Sequence, residues 1–186
     1  VCLKLRVTES NKAVVLLAVF FASCATQDIQ IKPRSDQAFK LSIKQAHDSS
    51  LGWIRKNMRQ KGLMRYLYDP HRDTYPNRNN AIRQLMTSRL IAELSHYEGP
   101  WASMHARNMG FIMKYWYREK DGKAFVWYNK KSKLGANALL LRTLLASPSY
   151  NSFEDEAKAL VNGIISLMED NGELNAWFIE PSYPYD

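Results

Sequence analysis

The sequence predicts an all-α fold of stacked helical hairpins, and three observations carry that expectation. A helical run that ends in glycine and passes into an aromatic-rich extended piece occurs three times, in residues 58–68 around Gly62, 117–128 around Gly122 and 168–178 around Gly172. The glycines stand 60 and 50 residues apart (122 − 62 and 172 − 122), a period expected of helical-hairpin repeats. Between these points apolar residues recur at the spacing of a helix face. A unit of this kind cannot bury its apolar face alone, so its neighbours must complete the core.

Each element has its own signature. Phe39, Ile43, Ala46, Ile54 and Met58 lie at helical spacing, with Leu51 and Trp53 widening the stripe, and Gly62 follows as a helix terminator. Residues 63–69 read as a short extended piece, and the two prolines of 69–77 make the next segment a loop. Asn79 or Asn80 caps a second helix whose inner face carries Ile82, Leu85, Met86, Leu90 and Leu94. After Gly99 and Pro100, a helix over 102–118 buries Phe111, Ile112, Tyr115 and Trp116. Asp121-Gly122 turns into the extended piece 123–128, and the helix over 135–146 is apolar around most of its circumference, which predicts full burial. Ser152 and Asp155 resemble a capping box for the last helix, carried by Phe153, Ala157, Leu160, Ile164 and Met168.

Composition narrows the function classes. The 186 residues, 46% hydrophobic, suffice for one core. The formal charge is +8, and the excess lies in residues 24–100, with 13 basic and 7 acidic side chains, whereas residues 101–186 carry 10 of each. Such a lean suits an anionic partner or an ordinary solvated surface. No Arg/Lys block with interleaved aromatics reads as a nucleic-acid module, so no nucleic-acid partner is expected. Cys2 and Cys24 are the only cysteines, which leaves residues 25–186 without a disulfide or a cysteine metal site. His47, His71, His96 and His105 show no metal spacing, and P-loop, G-x-G-x-x-G and G-x-S-x-G motifs are missing. No metal and no cofactor are expected.

The amino terminus has the pattern of a targeting segment. Lys12 precedes the apolar run 13–21, then come Ala22, Ser23 and Cys24. The run is too short to span about 30 Å of hydrocarbon as a helix. Phe21-Ala22-Ser23-Cys24 resembles a bacterial lipobox, apart from Phe21 where an aliphatic residue is usual. The resemblance implies a signal peptide over 1–23, lipidation at Cys24, a tether over 24–34 and a domain over 35–186. It also implies a bacterial cell-envelope protein whose lipid anchor, with Ala25 after the Cys, leans toward the outer membrane facing the periplasm.

The hairpin order resembles α/α-toroid proteins, namely the six-hairpin glycosidases and the carboxyl-terminal domain of D-glucuronyl C5-epimerases. Lys133-Leu-Gly-Ala-Asn-Ala-Leu-Leu-Leu141 and Ile164-Ile-Ser-Leu-Met-Glu-Asp-Asn-Gly172 carry the likeness. It implies an incomplete α/α toroid of about two and a half helical hairpins with short β-hairpins at the turns, truncated at its carboxyl end. A six-hairpin ring at this period needs on the order of 300 residues.

In such a toroid the turns and the amino ends of the inner helices share a rim. Asn80, Arg83, Tyr128, Lys133 and Asn137 are then the expected substrate-binding residues, because helix amino termini, a guanidinium fork and aromatic faces together suit an acidic sugar. Each has a structural alternative: Asn79 and Asn80 as caps, Arg83 as the partner of Asp69 or Asp73, and Trp127 and Trp177 as packing aromatics. Glu180, Tyr183 and Asp73 are the catalytic candidates by residue type, since glycoside hydrolysis needs paired carboxyls and an epimerase or lyase a proton shuttle. Whether the chain is an enzyme stays open. The two functions weighed are binding or processing of an anionic polysaccharide, and a non-catalytic helical-repeat scaffold of the envelope.

Overall fold

A computed structural model of the protein describes residues 35–179. Cys24, Glu180 and Tyr183 lie outside the described residues, so the lipidation site and two of the three catalytic candidates do too. The chain forms two compact units, residues 1–46 and 47–186. In the first, the described part is the start of helix α1, where Phe39, Leu41 and Ile43 are exposed. The stripe read there from periodicity is therefore not a core face among the described residues.

The structure is mostly helical, with five α-helices and two small sheets among the described residues. The helices are α1 (Asp36–Asn57), α2 (Ala81–Leu94), α3 (Trp101–Tyr115), α4 (Leu134–Leu145) and α5 (Glu154–Ile165). Strands β1 (Tyr117–Lys120) and β2 (Lys123–Val126) pair antiparallel, and β3 (Ser132–Lys133) pairs antiparallel with β4 (Trp177–Ile179). In the second unit α2 packs on α3 and α4, α4 on α5, and α5 on β2. The main core gathers Leu85, Ile112, Trp116, Val126, Leu140 and Leu160, and a smaller one Ile54, Met64, Ile91, Trp101 and Met104.

The three glycine turns share their left-handed glycine, with φ of +99° at Gly62, +70° at Gly122 and +84° at Gly172. The first and third are built alike. In the first, Arg59 N donates to Leu63 O, Gly62 N to Arg59 O and Arg65 N to Asn57 O; in the third, Glu169 N donates to Glu173 O, Gly172 N to Glu169 O and Asn175 N to Leu167 O. Each closes on one isolated bridge, Met58 to Met64 and Met168 to Leu174. Only the middle turn opens into a two-stranded hairpin, because Asp121 (φ 53°) and Gly122 supply the two consecutive left-handed residues that a two-residue turn demands. The expected strand over 63–69 is accordingly not one of the strands.

Within the second unit, successive hairpins interlock through their turns. Asn108 Nδ2, buried on α3, donates to Gly62 O at 2.8 Å, and Asn162 Nδ2 on α5 donates to Gly122 O at 3.1 Å. A Cβ on Gly62 would overlap the carbonyl of Arg107, and one on Gly163 would overlap the carbonyl of Ala124. The backbone of one hairpin thus lies directly on the first helix of the next, which only glycine permits. Buried amides secure the segment after the first two turns. Gln84 accepts from Met64 N (2.9 Å) and donates to Met64 O (2.8 Å), and Asn137 Oδ1 accepts from Val126 N (2.8 Å).

Several burial expectations change. Met86, Leu90, Tyr115 and Leu145 are exposed. The face of α2 that meets its neighbours runs through Ala81, Gln84, Leu85, Ser88, Ile91 and Ala92, which leaves Met86 and Leu90 off it. The apolar circumference of α4 likewise outruns its partners, which bury Ala136, Asn137, Leu140, Thr143 and Leu144. The capping box at Ser152 does not form, because a 3-10 turn, Tyr150–Phe153, runs straight into α5 and makes Phe153 its cap residue, with no side-chain capping bond.

These contacts set an order of mutational costs. Alanine in a helix interior normally stabilises by about 0.8–1 kcal/mol over glycine, yet Gly163→Ala is expected to destabilise, by about 1–3 kcal/mol, through overlap with the Ala124 carbonyl. Gly172→Ala, which meets no described atom within 4 Å and has only its positive φ to strain, is expected to cost about 1–2 kcal/mol. Gly62→Ala combines both penalties and should cost the most. Urea unfolding midpoints of the three variants give the ranking.

Candidate functional site

Two helix amino ends meet at one cavity. α2 begins at Ala81 behind the cap Asn80, whose Oδ1 accepts from Arg83 N at 3.2 Å. Its neighbour Asn79 accepts from Asn80 N and from Gln84 Nε2, both at 2.9 Å, so the cap is tied to the buried amide that also holds Met64. α4 begins at Leu134 behind Lys133, and Leu134 N donates to Ala176 O. Between these ends lies a cavity of about 130 Å³, lined by Asn79, Asn80, Ala81, Ile82, Val126, Tyr128, Asn129, Lys131, Lys133 and Ala136.

A strained turn forms one wall. Tyr128 and Lys131 exchange backbone hydrogen bonds across Asn129 and Lys130, which sit at φ of 51° and 58°. A lysine in the left-handed region costs about 1–2 kcal/mol, and the turn holds the Tyr128 and Lys131 side chains at the same opening. The Tyr128 ring packs edge-on against Trp116 (5.0 Å between centroids). Burial raises the Tyr128 pKa, partly offset by Lys131, so the hydroxyl stays a hydrogen-bond donor through neutral pH. Lys133 Nζ lies 4.7 Å from the Trp177 ring centroid. The lining therefore offers two ammonium groups, a phenol, amide side chains and the first turn of α2, a donor-rich setting suited to an anion.

The residues expected from sequence divide here. Asn80, Tyr128 and Lys133 line the cavity. Arg83 is not among the lining residues; its guanidinium lies over the Tyr66 ring at 5.4 Å. Asp69, weighed as its partner, instead faces Arg72, with Nη1 at 3.8 Å from its Oδ2. Asn137 is fully buried beneath the cavity wall and spends its Oδ1 on Val126 N. Asp73 is exposed, with φ at 48°, and accepts from Tyr68 OH at 2.6 Å. Trp177 packs under Lys133, and Tyr75 packs at a tilt against Tyr68 and carries the Arg65 guanidinium 4.4 Å from its centroid. Lys131 was missed by sequence reasoning. It alternates with Lys133 about Ser132 in the extended run 131–133, and a period of two would have put both on one side.

A second cavity, about 450 Å³, lies along α3 and faces the segment before α5. Ala102, Ala106 and Gly110, four residues apart, open space on one helix face, and Met109, Met113 and Phe153 make it apolar. His105, 5% exposed, lines it; its Nε2 lies 2.8 Å from Ser147 Oγ, and its Nδ1 has no hydrogen-bond partner among the described residues. Ser147 Oγ also accepts from Ser149 N at 3.1 Å. The small-residue stripe was the available sequence signal. Among the described residues no cluster of His, Cys, Asp and Glu could hold a metal ion, and no helix is long and apolar enough to cross a membrane.

No family model, no curated protein and no solved structure matches this chain. The reading of the site rests on its own geometry.

The buried histidine makes a pH test. Desolvation, and secondarily the nearby His96, lowers the His105 pKa below its ordinary 6.5. The folded state therefore favours the neutral ring, and the unfolded chain binds the extra proton. Stability from this group is complete above about pH 6.5 and is lost as pH falls toward the lowered folded value. The urea midpoint of the wild type should drop as pH falls below about 6.5, and His105→Gln should flatten that slope.

Proposed function

We propose that the chain is a lipid-anchored cell-envelope protein of the α/α-toroid kind, binding an anionic saccharide at the cavity between α2 and α4. The convergence of Lys131, Lys133, Tyr128, Asn79 and Asn80 on one opening at two helix amino ends carries the saccharide reading. Helix order supports the toroid part: α2 and α4 pack together while α3 and α5, the first helices of their hairpins, each adjoin one of them. A cavity of about 130 Å³ suits one acidic substituent and the adjoining edge of a ring; the remainder of a polymer would lie outside it. The lipid anchor rests on Lys12, the apolar run 13–21 and the Phe21-Ala22-Ser23-Cys24 resemblance. A scaffold role in the envelope is the second reading, favoured by the exposed apolar side chains Trp53, Met86 and Leu90 on α1 and α2 and Leu145 and Ile165 on α4 and α5.

Calorimetry with an oligogalacturonate and a neutral oligosaccharide of equal length separates the two. The saccharide reading expects binding of the acidic oligomer alone, weakening with salt. It also expects about a tenfold loss, about 1.4 kcal/mol, in Lys133→Ala and in Lys131→Ala, while Arg83→Ala keeps most of the affinity. No binding of the acidic oligomer by the wild type would remove the reading. Lipidation is tested separately: a bacterial host fed labelled palmitate should label the wild type and leave Cys24→Ser unlabelled.

A further inference from the structure

Among the described residues the repeat has an exposed edge at each end, and the buried joint between its first two hairpins shows what fits there. α1 matches α3 at an offset of 58 through Gly52-Trp53-Ile54 and Gly110-Phe111-Ile112. α2 matches α4 at an offset of 53 through the two backbone-clasping amides, Gln84 and Asn137. The first and third turns match at 110, hydrogen bond for hydrogen bond. Under this correspondence each surface has an internal counterpart with a known occupant.

The acceptor surface is a groove of about 530 Å³ between α1 and α2, lined by Ser49, Ser50, Trp53, Ile54, Thr87 and Leu90. Its counterparts in the next unit are Arg107, Asn108, Phe111, Ile112, Leu140 and Thr143. There the Gly62 turn sits on the backbone of Arg107 and Asn108, and Leu140 and Thr143 are fully buried. Leu90, the counterpart of the buried Thr143, is 39% exposed.

The donor surface is the third turn with the adjoining side of α4. Leu174 is 47% exposed where its counterpart Met64 is 5%, and Leu145 is 56% exposed where its counterpart Ala92 is 0%. Gly172 meets no described atom within 4 Å of a built Cβ, whereas Gly62 is in contact with α3. Charge is complementary as well. Residues 47–65 hold five basic side chains and one acidic, and residues 154–174 hold six acidic and one basic. The groove and the turn thus correspond in position through the fold's own repeat and are opposite in the sign of their charge.

We propose that two copies of this chain associate head to tail, the Gly172 turn of one seated in the α1–α2 groove of the other, in the manner of the Gly62 turn on α3. The contact is heterologous, so donor and acceptor are different patches of one surface. It does not depend on the saccharide reading, since the rim cavity takes no part in it.

Sedimentation velocity of the full chain over about 1–100 μM tests this with two edge variants. Leu174→Glu spoils the donor and Leu90→Glu the acceptor; both positions are exposed, and circular dichroism verifies that each variant folds. The wild type is expected to gain mass with concentration. Each variant alone should associate at least tenfold more weakly, and an equimolar mixture should form a one-to-one pair through its remaining intact edges. A wild type that stays monomeric throughout, variants that each still dimerise, or a mixture without the pair would each overturn the proposal.

Discussion

The seating of a glycine turn on the next helix is the contact from which the second unit is assembled. At Gly62 and Gly163 backbone meets backbone with no side chain between, and Asn108 and Asn162 convert that approach into hydrogen bonds to turn carbonyls. A buried carbonyl left unpaired costs about 1–3 kcal/mol, so Asn108 stabilises its buried joint, and the exposed bond of Asn162 helps to fix the register of the other. Once a turn is seated, the extended segment behind it is placed, and Gln84 or Asn137 holds that segment's backbone. The starts of α2 and α4 then have little freedom.

The cavity follows from this chain of contacts. Val126 is held by Asn137, the turn Asn129–Lys130 folds back on itself, and Tyr128 and Lys131 reach the space beside the α2 cap. Its polar character comes from groups that the helix starts and the tight turn must expose in any case. Strain in a two-residue turn without glycine is the one feature that packing alone does not require, and strained residues cluster where geometry serves binding. The larger cavity on α3 has the opposite character, apolar with one buried histidine, and it lies beside the other ends of α2 and α4.

Much of the local structure was legible. The turns at Gly62, Gly122 and Gly172 follow from the freedom of glycine at positive φ, although the helices before them stop earlier, at Asn57, Tyr115 and Ile165, and Asn80 as a cap follows from its side-chain acceptor. The helical content and the helix order after Gly62 were readable from periodicity. Three of the rim residues, Asn80, Tyr128 and Lys133, reach one cavity because sequence places them at helix starts and turns. Arg83 and Asn137 show the limit. Type and position made both look like ligand contacts, but a guanidinium with an aromatic ring nearby stacks on it, and an amide beside an unpaired strand N–H is drawn into the interior.

What the sequence alone determined was the list of parts: which segments are helical, where the glycine turns fall, and that a repeated unit needs a neighbour. Those outcomes depend on local backbone preference and on the period of apolar residues, both carried within a dozen positions. Tertiary structure decided which glycine opens into a hairpin, which apolar stripe faces a partner, and which polar side chains point into space or into the core. These depend on contacts between residues 20 to 60 positions apart, such as Gln84 with Met64 and Asn108 with Gly62. Local propensity gives a side chain its direction on a helix, and only the packed neighbours decide what that direction meets.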